Sequence, residues 1–166
     1  LPRSYWDWGE HIDLNSAGAF PYTPATNLLF ALNEAILMLK EEGLDNVFMR
    51  HKRYAEATRL AVQTWGLEVL CENKDDFSNT LTAVLLPNGH NADEFRSIVL
   101  DNFNMSLGNG LSRLAGKVFR IGHLGDFNDL MLVATLGGIE MGLAKSSVPH
   151  QVGGTQAAMQ FLKKNS

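Results

Sequence analysis

The chain has 166 residues, 45% of them apolar and 19% charged, with a net charge of −4, which is the composition of a folded domain and excludes a disordered one. Fourteen basic residues against eighteen acidic ones give no footprint for a phosphate backbone, so nucleic acid is not an expected partner. No apolar run approaches the ~20 residues of a membrane span, and no charged-then-apolar leader opens the chain, so no membrane partner is expected. The single cysteine, Cys71, cannot form an internal disulfide, and the natural compartment is a reducing, cytoplasmic one. Beginning at Leu1 rather than Met, the chain reads as a piece of a larger one.

From Pro2 to Gly18 aromatic residues give way to small ones, which predicts an extended stretch running into a loop. Thr23 followed by Pro24 predicts a helix start, with Gly43 as its stop, and Leu28, Leu32, Ala35, Ile36 and Leu39 recur at helical spacing between them. A second helix is expected from a cap at Asp45 to Gly66, with Val47, Tyr54, Thr58, Ala61 or Val62, and Trp65 on its apolar side. The basic run Arg50, His51, Lys52 and Arg53 is assigned to its solvated face.

Beyond Gly66 the period changes. Leu67–Cys71 and Thr80–Leu86 are short β-branched runs and predict strands. Asn91 with Glu94 three residues on is a capping box, and Phe95, Ile98 and Val99 supply that helix's buried face. Met105–Leu107 and Lys117–Leu124 predict two more strands, followed by a helix capped by Asp126 and a last one near Thr155–Lys164. The order predicts an α+β fold with helices on one face of a small, mostly antiparallel sheet.

Chemical motifs are sparse. Gly108, Gly110 and Gly116 miss both phosphate-loop spacings and read as turn glycines. The five histidines show no metal-ligand spacing, and Ser16, Ser106 and Ser112 lack the context of a nucleophile. Arg120, in KVFRIGHLG, is the candidate that remains: a guanidinium among apolar neighbours either lies on a strand's solvent face or meets an anion through its planar fork.

The string GKVFRIGHLGDFN, together with FPYTPATNLLFALNEAI and RHKRYAEATR, resembles the C-terminal half of the serine–glyoxylate and alanine–glyoxylate aminotransferases, pyridoxal-phosphate enzymes of class V and fold type I. The resemblance implies that residues 1–43 are the tail of the large cofactor domain with its dimer-contact loop and linking helix, and residues 44–166 the small α+β domain. It places the substrate-carboxylate arginine on Arg120 and a contact to the partner subunit's cofactor phosphate on Thr23. Relatives often carry a tyrosine where this chain has Phe20, and Tyr22 is near in sequence, so Phe20, Tyr22 and Thr23 are the candidate cofactor residues. No catalytic residue is assigned, because the lysine that holds pyridoxal 5'-phosphate lies upstream of Leu1 in this scheme and none of the seven lysines shown stands in its motif.

The implied activity is transfer of the amino group of serine, or of alanine, to glyoxylate by a homodimer, with an N-terminal portion completing each site and this portion inactive alone. A stand-alone, non-catalytic α+β module that binds a small carboxylate or a partner protein is the alternative. A desulfurase on the same scaffold is a third reading, against which Cys71 is expected in a strand rather than a mobile loop.

Overall fold

The computed structural model describes residues 3–165, so Pro2, in the stretch expected to be extended, lies outside the described residues. The chain divides into two compact units, Leu1–Leu44 and Asp45–Ser166.

In the first unit the expected extended stretch is helical instead: a 3-10 turn at Ser4–Trp6 precedes α1, Trp8–Ser16. The reason is local, since the Asp7 carboxylate accepts the Gly9 N–H at 2.9 Å and caps α1. Tyr22 lies against Tyr5 and His11, with ring centroids 5.7 and 5.4 Å apart. Helix α2 spans Thr26–Glu42. Gly43, at φ 84°, ends it as expected. Thr23 does not begin it: Ala25 holds the cap position without a side-chain hydrogen bond, and the Thr26 N–H donates to the Pro24 carbonyl at 2.9 Å. No residue of α2 is buried, and its apolar face, including Leu28, Phe30 and Leu32, is exposed.

The second unit is built from α3 (Leu44–Thr64) beyond its first residue, β1 (Glu68–Val69), β2 (Leu81–Leu85), α4 (Ala92–Phe103), β3 (Gly108–Asn109), β4 (Val118–Gly122), α5 (Asp129–Lys145) and α6 (Gly154–Lys164). Its four strands form an antiparallel sheet in the order β1-β2-β4-β3. Asn91 caps α4 as expected, its side-chain oxygen accepting the Asp93 N–H at 2.8 Å. Asp45 lies inside α3 rather than at its cap. Asn128, not Asp126, caps α5 by accepting the Met131 N–H at 2.9 Å. The third strand falls at Gly108–Asn109 rather than Met105–Leu107, because only there does the chain pair with β4. Cys71 lies past the end of β1, its thiol donating to the Asn73 carbonyl, so a strand position for it no longer argues against cysteine chemistry.

Val84, Phe119 and Ile121 face the core with Trp65, Phe95, Leu136 and Ile139, all essentially without solvent contact. Helices α4 and α5 approach closely because Gly142 has no side chain: a Cβ there would stand 2.5 Å from Val99 Cγ2.

Candidate functional site

Strand alternation places Arg120. Its neighbours Phe119 and Ile121 are fully buried against the helices, so Arg120 rises from the opposite face of the sheet. It pairs in register with Ala83 of β2 and Gly108 of β3. The side chain is half-buried, and its Nε is buried with no hydrogen-bond partner among the described residues. A guanidinium cannot be deprotonated and carries five donors, so unmet donors beside an apolar strand face suit a carboxylate.

The segment after β4 is held from α3 by the basic run assigned to solvent. Arg50 donates to the Gly125 carbonyl at 2.8 Å and to that of Phe127 at 3.3 Å. His51 accepts the Gly125 N–H through Nε2 at 3.2 Å and donates from Nδ1 to the Val47 carbonyl at 2.7 Å. Arg53 forms a fork to Asp129 and also donates to the Leu162 carbonyl at 2.9 Å. The solvated-face expectation therefore holds for Lys52 alone. Its failure has a plain cause: apart from Val47, the partners are 74 to 109 positions away, where no local pattern reveals them.

Electrostatics follow from these contacts. Hydrogen bonding to Asp129 raises the Arg53 guanidinium further above its usual range, and the same bond lowers the Asp129 carboxyl against the opposing effect of burial. Burial, with a hydrogen bond to Asp129, raises the Tyr54 phenol. His123, the residue that follows β4, is pushed down to about 4, chiefly by burial, and bonds Thr82 Oγ1 through Nε2 at 2.9 Å.

The other candidates belong to the first unit. Phe20, Tyr22 and Thr23 are exposed on the loop joining α1 to α2, and α2 opens two residues beyond Pro24 with no side-chain cap. A threonine hydroxyl ahead of an uncapped helix N-terminus offers donors of the kind a phosphate takes. Among the described residues no cluster of three His, Cys, Asp or Glu side chains could hold a metal, and no helix is long and apolar enough to cross a membrane.

No protein-family model matches the chain. It is 45% identical over 99% of its length to the serine–glyoxylate aminotransferase of Methylorubrum extorquens, and 42% identical over 97% to that of Arabidopsis thaliana. To the L-aspartate–glyoxylate aminotransferase of Paracoccus denitrificans it is 38% identical over 96%. Among solved structures, pyridoxamine–pyruvate aminotransferase from Mesorhizobium loti matches 89% of this chain and 38% of its own, at a TM-score of 0.83 and 27% identity. Ureidoglycine–glyoxylate aminotransferase from Bacillus subtilis matches 86% and 37%, at 0.79 and 28%. The helices and antiparallel sheet are those of the C-terminal part of a fold type I aminotransferase. Within that class the chain belongs to the serine–glyoxylate and alanine–glyoxylate aminotransferase family of class V. It spans 40–41% of the length of the three curated relatives named.

Proposed function

We propose that this chain is the substrate-carboxylate-binding portion of an aminotransferase that, when complete, moves the amino group of serine or alanine to glyoxylate. The observation that carries the reading is Arg120: a half-buried guanidinium with a buried, unpartnered Nε, raised from a strand face away from the core. A planar fork in that position grips a carboxylate through two hydrogen bonds and fixes the orientation of the attached Cα, for amino donor and oxo-acid acceptor alike.

Pyridoxal 5'-phosphate, when bound, supplies the electron sink that amino-group transfer needs. The donor set of the first unit fits its phosphate end: the Thr23 hydroxyl and the uncapped start of α2 would hold it, with Phe20 and Tyr22 as apolar and phenolic neighbours. The lysine and the ring partners belong in this reading to an N-terminal portion. Residues 1–43 are the tail of the large domain and 44–166 the small one, a division supported by the separation of contacts between Leu44 and Asp45. A homodimer with shared sites completes the scheme, supported by the exposed apolar face of α2.

The test is Arg120→Ala in the complete enzyme. Charged hydrogen bonds contribute roughly 1.5–3 kcal/mol each, so kcat/KM with either carboxylate substrate should fall on the order of 10–100-fold or more, with the cofactor spectrum unchanged. Near-normal kinetics would remove Arg120 from the site and the reading with it.

A further inference from the structure

Arg120 stands in one cross-strand row between two small residues, Ala83 of β2 and Gly108 of β3. Its side chain lies over the second of these. A Cβ built on Gly108 would be 3.0 Å from Arg120 Cβ, 3.1 Å from Nε and 3.5 Å from Cζ, so the arginine crosses the bare backbone of β3, the edge strand of the sheet. Gly108 is not among the glycines at positive φ, so its backbone conformation is one any residue adopts. The missing side chain matters at this position for the arginine, not for the strand.

From this we infer that Gly108 is a positioning residue for Arg120: the lack of a Cβ sets the height and direction at which the guanidinium meets the substrate carboxylate. The inference rests on the proposed carboxylate role of Arg120. A methyl group at 108 crowds Arg120 Cβ and Nε, and at 3.0–3.1 Å, tighter than most Cβ contacts, the arginine must give by a few tenths of an ångström. A two-pronged contact loses alignment on such a displacement: misplacements of about 1 Å cost on the order of 100-fold, and a few tenths of an ångström correspondingly less. β3, a strand of only two residues, thus supplies a flat floor beside Arg120.

The experiment is a double-mutant cycle in the complete, cofactor-loaded enzyme with Gly108→Ala, Arg120→Ala and both together. Binding of glycolate, an unreactive carboxylate of the size of glyoxylate, is measured by calorimetry beside steady-state kinetics. Gly108→Ala should weaken glycolate about tenfold and raise KM for both substrates more than it lowers kcat, while in the Arg120→Ala background it should change glycolate affinity less than twofold. Additive losses, or unchanged glycolate binding and KM in Gly108→Ala beside an impaired Arg120→Ala, overturn the inference and leave the role of Arg120 standing. Unimpaired Arg120→Ala overturns both. Should Gly108→Ala fail to fold while the double variant folds, the clash with Arg120 is supported; should neither fold, the glycine serves the strand and the inference fails.

Discussion

Arg53 and Asp129, 76 positions apart, meet in a two-pronged ion pair, with Nη1–Oδ1 at 2.8 Å and Nη2–Oδ2 at 2.6 Å. The pair joins the middle of α3 to the first turn of α5, and Tyr54 donates a third hydrogen bond to Asp129 Oδ1 at 3.0 Å. An acidic residue in the first turn also complements the helix dipole. Asp129→Ala leaves the Arg53 fork and the Tyr54 hydroxyl without their acceptor, in a place where the arginine side chain is only 18% exposed. The carboxylate itself is 44% exposed, so water replaces part of what is lost. Stability in urea should fall by about 1–2 kcal/mol, and by less in Asp129→Asn, which keeps one acceptor. Equal midpoints for all three proteins would show the pair to be energetically idle.

Glu140 performs for α6 the task that α6 cannot perform for itself. The cap position is Gly153, at φ 103° and without a side chain, so the carboxylate of α5 reaches across to accept the N–H groups of Gly153 and Thr155 and, at 2.6 Å, the Thr155 hydroxyl. Burial alone would raise this carboxyl, but the bonds from Thr155 and Gly153 outweigh it and hold it down to about 2. A depressed carboxyl contributes stability that is present above its unfolded value near 4.5 and is lost as pH falls toward 2. Glu140→Gln should lower stability at neutral pH by about 1–2 kcal/mol and flatten the acid limb below pH 4.5. An acid limb identical to that of the unaltered protein would mean that other carboxylates set it.

How much of this was legible in the sequence depended on distance along the chain. The Asn91 cap and the Gly43 stop are decided within a turn of the residue concerned, and both stand. Thr23–Pro24 satisfied the same local rules and failed, since the Pro24 carbonyl is taken by Thr26 and the helix opens later. Helix α1 was missed because only Trp8, Ile12 and Leu14 of its nine residues are large and apolar, too short a stripe to register as a helical period; only Asp7 signalled it. Asp126 and Asn128 were equivalent as cap candidates on paper, and the turn that bonds Phe127 N–H to the Gly125 carbonyl selects the second. The arginine fork to Asp129 and the floor under Arg120 were beyond reach, because each needs a register between segments that periodicity does not supply. Arg120 itself was found through resemblance, since periodicity alone favours a solvated strand face for an isolated arginine there.

The carboxylate role of Arg120 makes a sharper demand than loss of charge. Lysine keeps the charge but offers a point donor where arginine offers a planar fork, and its shorter head would not lie across Gly108 in the same way. Arg120→Lys in the complete enzyme should therefore remain impaired, on the order of tenfold in kcat/KM, with KM carrying most of the loss. Full rescue by lysine would reduce the residue to a source of positive potential.

His123 makes the acid sensitivity of the sheet predictable. The ring has no solvent contact, its Nε2 bonds Thr82 Oγ1 and its Nδ1 is buried without a partner among the described residues. Burial is the main cause of its low value, about 4 against the usual 6.5, and the positive charge of Arg59 acts in the same direction. Between those two values the unfolded chain binds a proton that the folded one refuses. The contribution to stability is complete above pH 6.5 and is lost as pH falls to 4. A difference of that size corresponds to a loss on the order of 3 kcal/mol over the window. Urea midpoints measured from pH 7 to pH 4 should fall steeply for the unaltered protein. His123→Asn, which keeps a polar group near Thr82 but cannot take up the proton, should start lower and change less. Parallel pH curves for the two would place the titrating group elsewhere in the fold.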